Sequence, residues 1–260
     1  MKKILLLSLL SLIALSPLSA QRRNKNINIE DIEYKSVVVN YTDATELLMF
    51  IPVDLRIVEG EEGRIEISYP VQEEEYIKYG LYDGCKFIIG RNGSKKTPKN
   101  SVICDKIPVR MTVSLSSLRR LFTNSEVDIT ILHDSFNHSL EIANGLSMSI
   151  NAKSITATES IKVNNFGTLT CKVEKWNTTT FKVLNRDGWT YLRGNTTAKS
   201  ITYRSNSRDN VDMVVACEEL TISSHSRGKG SICFTGTTDQ VSLSTRRKST
   251  TIITLPKLNN

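Results

Sequence analysis

Histidine, paired carboxylates and long apolar runs are scarce in this 260-residue chain, and each shortage removes a class of function. After the N-terminal segment, no stretch stays apolar for the ~20 residues that a bilayer-spanning helix needs, so no membrane span is expected. The histidines are His133, His138 and His225. With no CxxC and no close His–Cys group, no spacing fits a zinc site, and neither a metal nor another cofactor is expected. His133 and His138 flank Asp134-Ser135-Phe136-Asn137. The strained Gly-x-Ser-x-Gly elbow that presents a nucleophilic serine is missing there, so the segment reads as a surface loop. Glycines stand singly at corners and build no phosphate-binding loop. No window of about 10 residues in the second half keeps a 3.6-residue apolar period, so helix is nearly absent; one helical alternative is Glu73 to Tyr79.

Polysaccharide-cleaving enzymes need carboxylates paired for acid–base work or gathered around an ion. Here Asp128, Asp134, Glu141, Glu159, Glu174 and Asp187 are isolated. The nearest pairs, Asp209 with Asp212 and Glu218 with Glu219, are explained by solvation of turns. No catalytic residue is assigned, although stacking could still bring distant carboxylates together.

What is present begins with a targeting pattern. Lys2 and Lys3 precede an apolar run from Ile4 to Leu15, Pro17 breaks it, and Ser19-Ala20 ahead of Gln21 form a cleavage site. The expectation is an exported protein of the periplasm, outer-membrane surface or extracellular medium; a retained N-terminal anchor is the alternative. Charge is uneven: Glu30 to Glu75 holds 13 acidic residues against three basic ones, and Tyr76 to Asn260 holds 26 basic against 14 acidic. Such asymmetry can mark a face for polyanions, but the positive residues are scattered among Ser, Thr and Asn and read first as solubility charges. Export further disfavours nucleic acid as a partner.

Five cysteines leave at least one thiol unpaired. Cys85 and Cys104 are the best disulfide candidates, facing each other if Cys85 to Gly90 and Asn100 to Cys104 form a hairpin around Gly93-Ser94; parallel coils would spoil that pairing. Cys171, on one strand face with Leu169 and Val173, reads as a small buried hydrophobe.

Short alternating triplets organise the chain. Four segments are expected: a signal peptide at 1–20, a flexible lead-in at 21–35, an N-terminal β section at 36–117 and a repeat region at 118–260. In the last, Val127-Asp128-Ile129, Leu140-Glu141-Ile142, Met148-Ser149-Ile150, Ile161-Lys162-Val163 and Phe181-Lys182-Val183 begin a series with centres ~9 residues apart. Strands this short, with Asn-, Gly- and Asp-bearing corners such as Arg186-Asp187-Gly188 and few tight hairpin signals, favour a solenoid over an antiparallel sandwich. The fold class is all-β, a parallel β-helix with a less regular N-terminal β section.

Two stretches resemble a known family. The step Asp83-Gly84-Cys85-Lys86-Phe87-Ile88-Ile89, followed by the strand Val109 to Leu118, and the later Ser226-Arg227-Gly228-Lys229-Gly230-Ser231-Ile232-Cys233-Phe234-Thr235-Gly236 are similar to motifs of the auto-transporter adhesin head (GIN) domain family of Bacteroidetes. Arg246-Arg247-Lys248 departs from it where another Ser-Gly corner belongs. The resemblance implies a right-handed β-helix at the cell envelope.

Trp176, Trp189, Tyr191 and Tyr203 are the candidate ligand-binding residues, since coil stacking could align them as a platform for sugar rings; the competing reading places Trp189 and Tyr191 in the stacked interior. The expected function is a non-catalytic envelope protein, an adhesin that binds glycan or protein. The alternatives are a carbohydrate-active β-helix enzyme, a polysaccharide lyase or hydrolase, and a structural assembly component that self-associates through its coil ends.

Overall fold

The computed structural model describes residues 32–95, 107–225, 230–246 and 252–259. The signal peptide, most of the lead-in, Cys104, and the basic residues Arg227, Lys229, Arg247 and Lys248 lie outside the described residues. The chain is 71% strand and 3% helix and is wound as a β-solenoid of about 6 turns.

Seven strands make the less regular part: β1 (Tyr34–Asn40), β2 (Glu46–Met49), β3 (Val53–Ile57), β4 (Arg64–Pro70), β5 (Ile77–Tyr82), β6 (Lys86–Arg91) and β7 (Val109–Ser114). The regular coils follow as β8 (Arg120–Thr123), β9 (Glu126–Ile131), β10 (Ser135–Phe136), β11 (Leu140–Asn144), β12 (Ser147–Asn165) and β13 (Thr168–Asn185). They continue as β14 (Trp189–Thr197), β15 (Ser200–Ser205), β16 (Arg208–Ser224), β17 (Ser231–Thr245), β18 (Ile252–Thr254) and β19 (Lys257–Leu258).

One column of partners shows how the winding works. Ile142 lies beside Val163, Val163 beside Val183, then Tyr203, Ile222 and Leu243, so each coil takes 19 to 21 residues. All but Leu243 in this column are buried, and each buried side chain of this kind contributes roughly 1.5–3 kcal/mol of transfer free energy. The ~9-residue spacing of triplets is therefore about half a coil. The strands themselves are longer than the triplets suggest. In β12 the inward series Met148, Ile150, Ala152 slips phase to Ile155 and Ala157, then skips exposed Glu159 and resumes in the same phase at Ile161 and Val163. Each break is a corner, and a bulge between Ala157 and Ser160 marks the second. Hydrogen bonding continues through both corners, so three short apolar patterns form one strand.

The N-terminal strands join the same stack. β2 lies parallel between β6 and β8, and β3 lies parallel between β7 and β9. β5 closes antiparallel on β6, while β4 closes on β7 and carries β1. Both edges of β6 are thus taken, by β2 and β5, while the suggested second arm, Asn100 to Cys104, lies outside the described residues. The helical alternative at Glu73 to Tyr79 is replaced by a short 3-10 helix, Val71–Tyr76, running directly into β5. Cys171 is fully buried, as its alternation requires, and burial pushes its thiol up to about 12.

A polar ladder runs inside one corner. Thr123, Asn144, Asn165, Asn185, Ser205 and Ser224 occupy equivalent inward positions on successive coils. Asn144 Nδ2 donates to Asn165 Oδ1 at 2.8 Å, and Asn165 Nδ2 donates to Asn185 Oδ1 at 3.1 Å. Within the turn, Leu146 N–H donates to Asn144 Oδ1 and Gly167 N–H to Asn165 Oδ1, satisfying amides that the corner leaves free. Asn185 Nδ2 then donates to Asp209 Oδ1 at 2.5 Å. Asp209 is 3% exposed, which overturns its assignment as a solvated turn residue.

Burial pushes the Asp209 carboxyl above the usual range, against the opposing pull of the neighbouring Ser205, Asn185 and Tyr203 donors. The folded protein therefore holds this proton at pH values where the unfolded chain releases it. Stability falls as pH rises from the ordinary carboxylate value through the raised one. Asp209→Asn is expected to raise the melting temperature at neutral pH by about 2–4 °C, the change worth roughly 1 kcal/mol in a domain of this size, because the amide still accepts from Asn185 and carries no charge. The gap between variant and wild type closes as pH is lowered. A variant that melts lower at pH 7.5 would show that the carboxylate is held ionised instead.

Candidate functional site

The outward face of one side of the solenoid is a parallel array of short polar residues. On neighbouring strands Ser147, Thr168, Trp189 and Arg208 stand in one column, and Asp128, Ser149, Thr170, Tyr191, Asn210 and Ser231 in the next. Trp189 and Tyr191 are two apart on β14, with buried Thr190 between them, so both rings face out. Trp189 is 57% exposed, and the Arg193 guanidinium lies 4.9 Å from the Tyr191 ring centre. Exposed Leu146 and Phe166 belong to the corner that leads onto this face, and Arg186 lies 5.2 Å over the Phe166 ring.

Backbone geometry fixes Trp189 there. Gly188 precedes it with φ 85°, and a Cβ at Gly188 would lie 2.0 Å from the Gly167 carbonyl oxygen. Only glycine permits this left-handed, closely stacked turn. Trp189 N–H then donates to that same carbonyl at 3.1 Å.

The four aromatic candidates are not brought together. Trp176 and Tyr203 are interior, 0% and 1% exposed. Trp176 packs at 5.1 Å on Phe181, and Tyr203 meets Phe234 edge-on at 5.9 Å. Trp189 and Tyr191 are the outward pair, the reverse of the arrangement that puts them in the core. Cys85 is half-buried beside β6, and its suggested partner lies outside the described residues.

A second groove, of about 590 Å³, gathers Arg119, His138, Ser139, Glu141, Glu159 and Lys162. Sequence reasoning sees its two carboxylates as isolated, because stacking joins residues about 20 positions apart. Glu141 stands in a column of alternating charge, Lys86, Glu46, Arg120, Glu141, Lys162. Its carboxylate takes Lys162 Nζ at 3.1 Å, Arg120 Nε at 3.6 Å and the Asn164 amide. Glu159 faces His138 Nδ1 at 3.5 Å and accepts from Ser139 Oγ at 3.0 Å. The serine therefore bonds the carboxylate and not the imidazole, so the chain of nucleophile, base and orienting acid is not made. These contacts tie coils together across the surface, at about 0–1 kcal/mol per exposed ion pair. Among the described residues no three His, Cys, Asp or Glu side chains cluster as a metal site, and no helix is long and apolar enough to cross a membrane.

No family model matches the chain, and no curated protein matches it. Solved structures do. A protein titled "putative adhesin" from Bacteroides fragilis NCTC 9343 superposes with a TM-score of 0.63 at 16% identity, over 86% of this chain and 96% of that one. Another with the same title, from Parabacteroides distasonis ATCC 8503, gives 0.63 at 15%, over 86% and 98%. At that identity the likeness is one of fold.

Proposed function

We propose that this chain is an exported, non-catalytic envelope protein that binds a glycan on the outward face around Trp189 and Tyr191. The observation that carries this reading is the exposed Trp189 beside Tyr191 in a flat field of Ser, Thr and Asn. An exposed indole on a sheet face leaves a large apolar surface in water. Sugar rings present an apolar C–H face to such a ring, while their hydroxyls suit short hydroxyl and amide side chains on either side. The two structures of like fold, each named a "putative adhesin", and the resemblance to the adhesin head family support an adhesive role, and the Lys2–Ala20 pattern supports export.

The test is retention of the mature chain, from Gln21 onward, on an immobilised glycan array. Truncating two central aromatics at a binding face removes about 2 kcal/mol or more, roughly 30-fold in affinity. Trp189→Ala with Tyr191→Ala is therefore expected to abolish retention while leaving the melting temperature unchanged. Wild-type retention by that variant would remove this face from the function, and release of shortened glycan products by the wild type would make the protein an enzyme.

A further inference from the structure

The corner that leads onto the aromatic face carries a second feature. A groove of about 350 Å³ opens there, lined by Arg186, Arg204, Asn206, Ser223 and His225 among others, and no Asp or Glu lines it. The winding creates this cluster. Arg186, Asn206, His225 and Arg246 take the same corner position on successive coils, each donating its backbone N–H to the coil before. Arg204 stands in the neighbouring outward column between Leu184 and Ser223. Neighbouring strands are about 4.8 Å apart, so positive and donor groups recur along the axis at a spacing suited to a linear chain of anionic groups.

Arg186 and Arg204 make no ion pair with a carboxylate among the described residues. The Phe166 ring under Arg186 holds one guanidinium in place. Pre-organised guanidinium groups are matched to carboxylate and sulfate oxygens, which they bind in pairs of parallel hydrogen bonds. Ser223 Oγ and His225 Nδ1 lie 3.2 Å apart in the same groove and add polar contacts. Asp209, whose carboxyl accepts from the groove residue Asn185, is buried and shifted toward its neutral form, which weakens one acidic counterweight next to the groove; the other is Asp187, exposed on the turn beside Arg186.

The turn Arg186-Asp187-Gly188-Trp189 runs directly from this groove to the exposed indole, and Arg208 stands beside Trp189 in register. We infer that the glycan is anionic: its sugar rings lie on Trp189 and Tyr191, and its carboxylate or sulfate groups cross the corner and are bound by Arg186 and Arg204. This rests on the glycan reading above and gives the glycan its chemical class.

The experiment is calorimetric titration of the mature chain with hexasaccharides of galacturonate, of heparin and of neutral maltose type, with inorganic phosphate and a thymidylate hexamer as controls. The two anionic sugars separate uronate from sulfate as the source of charge. At least one should bind about tenfold or more tighter than the neutral sugar, the scale of one charge-assisted hydrogen bond, and should weaken as salt is added. Arg186→Gln with Arg204→Gln should remove that advantage and leave neutral-sugar binding as it was. Equal affinity for charged and neutral sugars would overturn the inference. So would anionic binding indifferent to the double substitution, binding of phosphate alone, or tighter binding of the thymidylate. If the neutral sugar binds and Trp189→Ala abolishes it, the aromatic face stands while the anionic assignment falls; if no sugar binds, both fall.

Discussion

Trp176→Ala should destabilise the protein by about 3–5 kcal/mol, the range for emptying a buried large aromatic site. The chain has two tryptophans, and they are opposites. Trp176 sits at 0% exposure, its ring 5.1 Å from Phe181 at an interplanar angle of 56°. Its space cannot collapse easily, because Gly194 stands next to it at φ 135°, where a Cβ would come within 1.9 Å of the Val173 carbonyl oxygen. The backbone there is already at closest approach and has no slack to fill a cavity. Trp176 Nε1 is also buried without a hydrogen-bond partner among the described residues. Trp176→Phe should therefore lose less than Ala, since it keeps a ring and discards an unsatisfied donor worth about 1–3 kcal/mol. Trp189→Ala should move stability by only about 0.5 kcal/mol either way, as for most surface substitutions. Denaturant midpoints of the three variants check the set. A Trp176→Ala midpoint close to wild type would mean that the indole is not in the core.

The same pair shows what the sequence makes legible. Coils were readable because each side buries only two or three alternating residues, and such triplets recur whatever the corners do. Which face an aromatic takes was not readable, because a corner of unknown length shifts the phase. Trp176 is inward only because the alternation of Leu169, Cys171 and Val173 slips by one residue before it. Trp189 is outward because Thr190, a residue usually assigned to the surface, fills the column of Leu169. Asp209 follows Thr190 in that column, and this is why a residue that looks like a turn carboxylate is buried. The coil length of 19 to 21 residues is the missing quantity. With it, Trp189 and Tyr191 fall beside Thr168 and Thr170, and Arg186 and His225 fall on one corner. The charged column from Lys86 to Lys162 stayed hidden for a further reason, since β2 inserts between β6 and β8 against chain order.

Asn165→Ala should be the second severe loss, and it acts through polar groups instead of volume. Asn165 is fully buried at the centre of the corner ladder. Its Oδ1 accepts from Asn144 Nδ2 at 2.8 Å and from Gly167 N–H at 3.2 Å. Its two Nδ2 hydrogens are shared among Asn185 Oδ1, the Trp189 carbonyl at 3.2 Å and Thr190 Oγ1 at 3.0 Å. Alanine would strand several of these partners away from water at once. Each orphaned buried group is worth about 1–3 kcal/mol, so a combined loss on the order of 3–6 kcal/mol is expected even after some relax toward solvent. Leucine should do no better, because it restores volume and none of the hydrogen bonds. In a stacked array each coil is stabilised mainly by its neighbours. The opening should therefore be local, with amide exchange accelerated in the coils carrying Asn144, Asn165 and Asn185 and in the turn that presents Trp189, ahead of global unfolding. That turn belongs to the proposed binding face, so glycan retention should fall in Asn165→Ala at temperatures where the N-terminal strands still protect their amides. Uniform acceleration along the whole chain would show instead that the solenoid opens as one unit and that the ladder adds no local rigidity to the site.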